Sequence, residues 1–288
     1  MMDKPKTYAT AMAFRRALED RLKQIAKVEK FDFQRLMREV AFDRLLARLF
    51  AREDAPWLLK GGYAMELRLK DARATKDLDL ALRQTLSGGG KLDQAILAAL
   101  RAAAAAELND FFMFEVGEPM QDLDAAPSGG ARYPVESLVD GRTYVKFHID
   151  IGAGDVVIAP AEVLVGRDWL GFAGIAAVKA PAIPREQQFA EKLHAYTLPR
   201  KVLNSRTRDL VDMVLLINAG KLDKKRTAQA ISETFARRGT HPVPEKLVPP
   251  PVAWTAPFAL LTEECGLSSD IGAAFAVVDD YFTQGPHG

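Results

Sequence analysis

The chain has 288 residues, 48 % hydrophobic and 27 % charged, and its 39 Lys and Arg against 38 Asp and Glu leave a net charge of +1. These proportions are typical of globular proteins and exclude a disordered chain, a collagen, a coiled-coil rod and a polybasic nucleic-acid arm. The single cysteine, Cys265, excludes an internal disulfide and a cysteine-based zinc site. No signal-like stretch opens the sequence, and the alanine-rich run 96–108 is too short to span a bilayer. We therefore expect a cytoplasmic protein that makes no membrane contact.

Helical periodicity dominates both ends of the chain. Apolar residues recur every three or four positions over residues 10–27 and 33–50, which is the spacing of amphipathic helices. Beyond residue 185 the same period predicts helices over the segments 187–197, 206–218, 226–237 and 270–282, with a proline-rich loop at 242–257. The sequence therefore predicts N-terminal helices in residues 1–55 and a helical C-terminal domain in residues 171–288.

The middle of the chain, residues 56–170, reads as a mixed core of strands and helices. The predicted strands are 57–59, 77–82, 111–116, 133–139 and 142–151, and the predicted helices are 63–69 and 92–108, with a glycine-rich connection at 87–90. Asp140-Gly141 between the last two strands suits a two-residue type I′ turn. The fold class predicted from this layout is α/β, more narrowly α+β.

Two carboxylates stand on one face of a predicted strand. Side chains alternate along a strand, so Asp77 and Asp79 project together while Leu78 and Leu80 pack on the opposite face. Adjacent carboxylates repel each other, and divalent cations with a preference for oxygen ligands, such as Mg²⁺, relieve that repulsion. Asp150 lies on the polar face of strand 142–151 and would join them if the two strands are neighbours. Free amides at Gly61-Gly62 would supply a phosphate site beside these metal ligands.

Three segments, in order, resemble a known family. They are Leu59-Lys60-Gly61-Gly62 with Arg73-x-Thr75-x-Asp77-Leu78-Asp79, then Glu191-Lys192-Leu193-His194, then Arg206-x-Arg208-Asp209-x-x-Asp212. The first resembles the signature of the DNA polymerase β nucleotidyltransferase superfamily, and the set over residues 57–217 resembles the AbiEii/AbiGii toxin family. The resemblance implies a polymerase β-like nucleotidyltransferase core with a mixed sheet.

The resemblance also implies an activity. Members are toxins of two-gene toxin–antitoxin or phage-abortive systems, and some mycobacterial ones add nucleotides to the tRNA 3′ acceptor end. The implied reaction is Mg²⁺-dependent transfer of a nucleoside monophosphate from an NTP to RNA, foremost tRNA, with two Mg²⁺ ions. The implied consequence is blocked translation and growth, relieved by a cognate antitoxin that need not form a stable complex with the toxin.

Residue roles follow from the same motifs. The implied catalytic residues are Asp77, Asp79, Asp150, Lys192 and Asp209. Of these, Asp77, Asp79 and Asp150 would bind the metal, and Asp150 would help to deprotonate the attacking hydroxyl. Asp209 would orient Lys192 or the nucleotide. The implied nucleotide-binding residues are Lys60, Gly61, Gly62, Thr75, Lys192 and Arg208.

Charge is unevenly distributed along the chain. Residues 185–238 carry twelve Lys or Arg and six Asp or Glu, a local net charge of +6. Such a basic stretch suits a polyanionic acceptor such as tRNA. Two alternatives stay open: the same site could modify a small molecule or a protein hydroxyl, or the protein could be a non-catalytic module that binds nucleotide or a partner.

Overall fold

The structure is a computed structural model that describes residues 5–84, 91–123, 126–200 and 206–284. The connection predicted at 87–90 lies outside the described residues. The chain divides into two compact units. The first comprises Met1–Leu59, Thr75–Ala153 and Val163–Pro181, and the second Lys60–Ala74, Gly154–Glu162 and Ala182–Gly288. The three-part division into 1–55, 56–170 and 171–288 remains a prediction about domains; the two units each draw on more than one of its segments.

The described elements follow one another in this order. The helices are α1 (Ala11–Glu29), α2 (Phe33–Leu49), α3 (Gly61–Arg68), α4 (Leu92–Ala104), α5 (Arg185–Thr197), α6 (Thr207–Asn218), α7 (Lys224–Arg238), α8 (Thr255–Glu264) and α9 (Ile271–Gln284). The strands are β1 (Trp57–Lys60), β2 (Asp77–Leu82), β3 (Phe112–Val116), β4 (Gln121–Asp122), β5 (Gly130–Val139), β6 (Arg142–Gly152), β7 (Glu162–Val165) and β8 (Lys179–Ala182).

An eight-stranded mixed sheet organises the first unit. Its order is β3-β5-β6-β2-β1-β8-β7, with β4 beside β5. β2 runs parallel to β6, whereas β5 is antiparallel to both β3 and β6. Phe42 of α2 packs edge-on against Phe147 of β6, with ring centroids 4.9 Å apart. The predicted α/β class with a mixed sheet is therefore confirmed.

The hairpin β5–β6 contains both the predicted turn and a feature that the turn alone does not predict. Asp140 and Gly141 have φ values of 57° and 64°, as a type I′ turn requires. A bulge then shifts the register between Ser137 and Leu138. Beyond the bulge every residue of β5 faces a residue of β6 one place further along than an unbroken hairpin would give.

Helices build the second unit. Their apolar faces meet in one core that includes Phe189 of α5, Leu210 of α6, Phe258 of α8 and Val278 of α9. Asp223 caps the N-terminus of α7 by accepting a hydrogen bond from the Arg226 amide at 2.8 Å, and Gly239 ends that helix at φ 59°.

Three elements differ from their predictions, and two of the differences have local causes. α8 starts at Thr255, inside the segment predicted as a loop, because Pro257 falls in the first helical turn, where its missing N–H removes no helical hydrogen bond. β8 was missed since its sequence, Lys-Ala-Pro-Ala, has little strand propensity. α4 ends at Ala104, four residues before the predicted end. Among the described residues, no helix has the length and apolarity to cross a membrane.

Candidate active site

The parallel pairing of β2 with β6 brings the predicted carboxylates together. Asp79 is the register partner of Asp150, and Asp77 is the partner of His148. In each strand these residues are half-buried while their neighbours Leu78, Leu80 and Ile149 are fully buried. Because partners in a sheet point to the same face, the side chains of Asp77, Asp79 and Asp150 share one face of the sheet.

An arginine that the sequence analysis did not select lies among these carboxylates. Arg132 of β5 is the cross-strand partner of Asp150. Its Nε and one Nη each donate to a different oxygen of Asp150 at 2.7 Å, and the same Nη lies 3.6 Å from Asp77 Oδ2. Hydrogen bonding to Asp150 raises the pKa of Arg132, and the charges of Asp77 and Asp79 raise it further. The guanidinium is thus a fixed positive charge among three acidic residues.

Two further contacts complete this face. His148 Nδ1 lies 3.3 Å from Asp77 Oδ1, and the Thr75 hydroxyl donates to the Asp77 carbonyl oxygen at 3.3 Å. Within the described ranges, no three His, Cys, Asp or Glu side chains are arranged to hold a metal ion. The arrangement around Asp150 is instead an ion pair between carboxylates and a guanidinium.

A cavity of about 790 Å³ opens beside Asp77. From Asp77 on β2, the cavity extends across β6 and β5 to β3. β1 lies on the other side of β2 and does not line the cavity. Its wall contains the cations Arg38, Lys76, Arg132 and Lys146, together with Phe147, Pro134 and Met120. The cavity volume lies within the range of about 300–1,000 Å³ found for small-molecule sites.

In the second unit, the predicted phosphate-binding segment starts α3. Gly61 has φ 65°, a backbone conformation that favours glycine, and its carbonyl accepts a hydrogen bond from Gln188 Nε2 at 2.7 Å. Gly62 follows in the first turn of α3 and is buried. Glycine at position 61 is therefore required by the turn from β1 into α3.

Lys60 is held by carboxylates of its own unit. Its Nζ lies 2.7 Å from Asp155 Oδ2 and 3.1 Å from Glu191 Oε2, and Arg238 donates to the other Asp155 oxygen at 3.0 Å. Burial would lower the pKa of Lys60, but the charges of Glu191 and Asp155 outweigh burial and raise it. Lys60 is therefore a protonated side chain in a four-residue ionic cluster.

Lys192 and Asp209 form an ion pair within the second unit. Lys192 Nζ lies 3.0 Å from Asp209 Oδ1 and 2.8 Å from Asp212 Oδ2. Asp212, in turn, accepts two hydrogen bonds from the Arg73 guanidinium at 2.9 and 3.0 Å. Burial would lower the pKa of Lys192, but the charges of Asp212 and Asp209 outweigh burial and raise it. Arg208, one residue before Asp209, is exposed.

Sequence reasoning gave no role to several members of these clusters, among them Arg132, Asp155, Glu191 and Asp212. Asp212 had a signal, because it lies three residues after Asp209 on one helix and so on the same face. No sequence signal pointed to Arg132, because an unbroken two-residue hairpin would place Ala131 opposite Asp150. The bulge shifts the register so that Arg132 lies opposite Asp150 instead. Asp155 lies in a loop whose approach to Lys60 no periodicity encodes.

The chain is similar to one described protein family and to several solved structures. The family described as nucleotidyl transferase AbiEii toxin, type IV TA system, matches residues 44–264. No curated protein matches the sequence significantly. Among solved structures, MenT4, a nucleotidyltransferase toxin from Mycobacterium tuberculosis H37Rv, is 17 % identical with a TM-score of 0.52, over 91 % of this chain and 96 % of that one.

Two Helicobacter pylori structures are also similar. JHP933 is 17 % identical with a TM-score of 0.49, over 88 % of this chain and 95 % of that one. A protein described as a putative nucleotidyltransferase is 14 % identical with a TM-score of 0.45, over 87 % and 97 % of the two chains. At such identities the mycobacterial structure supports the fold alone.

Proposed function

Because the chain belongs to the AbiEii family of nucleotidyltransferase toxins of type IV toxin–antitoxin systems, we propose that it transfers a nucleoside monophosphate from an NTP to RNA, at the tRNA 3′ acceptor end. The family makes it a nucleotidyltransferase with a nucleotide substrate and an antitoxin partner. The RNA acceptor, the two Mg²⁺ ions and the residue roles below belong to the proposal. Since the reaction consumes NTP and tRNA, we place it in the cytoplasm.

The observation that carries the proposal is the shared face of Asp77, Asp79 and Asp150 on two parallel neighbouring strands. The donor set fits Mg²⁺ in its chemistry, because all three side chains offer hard carboxylate oxygens. The guanidinium of Arg132 already satisfies two of these carboxylates, which indicates that the face attracts a cation. When bound, divalent cations would stabilise negative charge on the NTP phosphates and make the acceptor hydroxyl more acidic.

The remaining steps fall to the protein's own side chains. The oxygen of the acceptor hydroxyl forms a bond to the α-phosphorus, and Asp150 accepts the proton that this hydroxyl loses. The bond from that phosphorus to the bridging oxygen breaks, and pyrophosphate leaves. Lys192, kept protonated by Asp209 and Asp212, neutralises phosphate charge together with Lys60. The amides of Gly61 and Gly62 bind phosphate oxygens, with Thr75 and Arg208 as further contacts to the nucleotide.

Two features support RNA as the acceptor. The cavity beside Asp77 has four cationic side chains in its wall, and the exposed side chains of Lys221, Lys224 and Lys225 form a basic surface in the second unit. Basic surfaces bind the phosphate backbone of nucleic acids. The cavity is also large enough for a small hydroxyl compound, so the experiment below includes that acceptor.

The test incubates purified protein with Mg²⁺ and each α-³²P-labelled NTP in turn, once with total tRNA and once with a cell lysate. We expect label in tRNA with the wild type and none with Asp77→Asn/Asp79→Asn. Asp20→Asn is the control, since Asp20 is an exposed carboxylate of α1 that does not line the cavity; this variant should label tRNA normally.

The other outcomes separate the alternatives. Label in a small molecule or a protein of the cell lysate, but not in tRNA, would retain nucleotidyl transfer and reject the RNA acceptor. Nucleotide binding without label in any acceptor would reject catalysis and support the binding-module alternative.

A further inference from the structure

Arg132 occupies an unusual place for an arginine of a central strand pair. It directly opposes Asp150, donates to both of that residue's oxygens at 2.7 Å and lies 3.6 Å from Asp77. The pair is partly accessible, with 31 % of the Arg132 side chain and 16 % of the Asp150 side chain exposed. A small ion from solvent can therefore reach it.

The contacts satisfy the guanidinium and the carboxylate of Asp150 together. Arginine binds carboxylates in this two-point manner because its N–H groups match the spacing of the two oxygens. A divalent cation that used Asp150 would need an oxygen at about 2.0–2.1 Å for Mg²⁺. Such an ion and the guanidinium are like charges that would compete for the same oxygens, since both cannot be close to Asp150 without repulsion.

We propose that Arg132 is the built-in counter-ion of this face: it neutralises Asp150 and Asp77 in the metal-free protein, is displaced from Asp150 when a divalent cation binds, and thereby sets the affinity for that cation. The inference rests on the proposed function, in that it takes Asp77, Asp79 and Asp150 as metal ligands. It makes Arg132 a positioning residue, which acts on Asp150 rather than on the substrate.

The test measures binding of Mn²⁺ alone, without nucleotide, from the electron paramagnetic resonance signal of the unbound ion. Removing the competing charge in Arg132→Gln should lower the dissociation constant about tenfold at low ionic strength. Arg132→Lys, which keeps the charge but loses the two-point geometry, should lie between Arg132→Gln and the wild type. Asp77→Asn/Asp79→Asn should abolish binding.

Lys146→Gln is the matched control. Lys146 lies on the same strand as Asp150 and in the same cavity wall, and it pairs with Glu136 at 2.9 Å. The variant removes one positive charge, as Arg132→Gln does, from a side chain that pairs with Glu136 and not with Asp77, Asp79 or Asp150. It should change the dissociation constant of Mn²⁺ by less than about twofold.

Thermal melting gives a second readout. In EDTA, Arg132→Gln should melt below the wild type because the carboxylates repel each other, and saturating Mn²⁺ should remove most of that difference. If Arg132→Gln does not fold, Arg132→Lys carries the same comparison in both measurements.

Weaker or unchanged Mn²⁺ binding in Arg132→Gln would overturn the proposal, as would a wild type and a variant that both fail to bind Mn²⁺. Neither result depends on whether any acceptor becomes labelled. A failure of nucleotidyl transfer to tRNA with Mn²⁺ binding as expected would reject the proposed function and leave the counter-ion role of Arg132 standing.

Discussion

Asp212 has no exposed surface, and it holds two cations at once, Lys192 and Arg73. Burial alone would raise the pKa of its carboxyl group, but the charges of Lys192 and Arg73 outweigh burial and lower it. The energetic cost of burying this group of charges is offset only while the carboxylate and both cations are present. Loss of the carboxylate would leave Lys192 and Arg73 short of negative charge in the interior of the second unit.

We therefore expect Asp212→Asn to lower the free energy of unfolding by about 3–5 kcal/mol, the usual cost of removing one partner of a buried ion pair. Urea unfolding followed by tryptophan fluorescence measures this, since Trp254 lies in the same core. Asp209→Asn is the comparison: Lys192 then keeps Asp212, and the loss should be clearly smaller. Equal losses would contradict the central role of Asp212.

A second prediction concerns pH and His194. Burial, then the charges of Arg238 and His241, lowers the pKa of His194 to about 4, while Asp155 opposes the shift. The unfolded chain has the ordinary histidine pKa of about 6.5. Between these values the unfolded chain takes up a proton that the folded protein does not. The free energy of unfolding is therefore highest above pH 6.5 and falls as the pH decreases towards 4, by about 3 kcal/mol in all.

The measurement compares the wild type with His194→Gln, which cannot titrate and can replace the contact of His194 Nε2 with the Thr240 hydroxyl at 2.9 Å. From about pH 7.5 down to about pH 4.5 the unfolding free energy of the wild type should fall relative to that of His194→Gln, because only the wild type takes up a proton at position 194 on unfolding. A difference between the two proteins that stays constant with pH would reject this origin.

At the level of single residues, the sequence predicts well what lies at fixed spacing and poorly what needs the third dimension. Asp77 and Asp79 share a face by strand alternation, and Asp150 joins them through the strand pairing that the prediction required. Arg132 could not be found, since its alignment with Asp150 depends on a bulge several residues away. The roles of all these residues stay predictions.

At the scale of elements, α2 is tied to the start of β3 by a buried ionic cluster. The Asp110 carboxylate accepts hydrogen bonds from Arg44 Nε and Arg48 Nη2, each at 2.7 Å. Arg48 also donates to the Phe112 carbonyl oxygen at 2.7 Å. Burial would raise the pKa of Asp110, but its hydrogen bonds and the charges of Arg48 and Arg44 outweigh burial and lower it. The cluster fixes the helix against the edge strand.

Asp110→Asn should therefore destabilise the first unit by about 3–5 kcal/mol, since two buried guanidinium groups lose their counter-charge. Hydrogen–deuterium exchange should rise in α2 and β3 before it rises in α7, which lies in the other unit. Asp54→Asn is the control, because Asp54 pairs with Arg52 on an exposed surface, where ion pairs contribute little to stability. Unchanged exchange in α2 would show that packing alone holds this helix.

Long periodic elements were predicted more faithfully than short ones. α1 and α2 follow their apolar spacing to within two residues of the predicted ends. β7 and β8 have four residues each, too few for alternation to be distinguished from chance, and their neighbours in the sheet decide their conformation. The hairpin turn was predictable because Asp-Gly has a specific backbone preference.

At the scale of the molecule, part of the positive charge counted in residues 185–238 is paired with carboxylates and is not accessible to a partner. Of the twelve basic residues in 185–238, several are neutralised internally: Arg185 by Glu162, Lys192 and Arg206 by Asp209, and Arg238 by Asp155. Lys221, Lys224 and Lys225 remain exposed around the start of α7. The local charge of +6 therefore overstates what a polyanion can reach. Arg200, Arg208 and Arg237 are also exposed, but the three lysines lie close together in the chain.

Lys221→Glu/Lys225→Glu should weaken tRNA binding by about tenfold or more and reduce the salt dependence of the binding constant, because fewer counterions are released. NTP binding should not change. Lys23→Glu/Lys27→Glu, the same charge change on the exposed surface of α1, is the control. Filter binding at several salt concentrations measures both. Equal effects of the two double variants would mean that net charge alone, and not this surface, governs binding.

The parallel register of β2 and β6 has a consequence for the synthesis of the protein. Asp79 and its partner Asp150 are separated by about seventy residues of chain, and β6 occupies the centre of the sheet between β5 and β2. A ribosome that has released β2 has therefore made two of the three carboxylates but not the strand that borders them. A messenger cut or stopped before residue 142 yields a fragment without β6, so β2 has an unpaired edge and Asp150 is missing. A cell that translates only this part of the gene makes no complete carboxylate site.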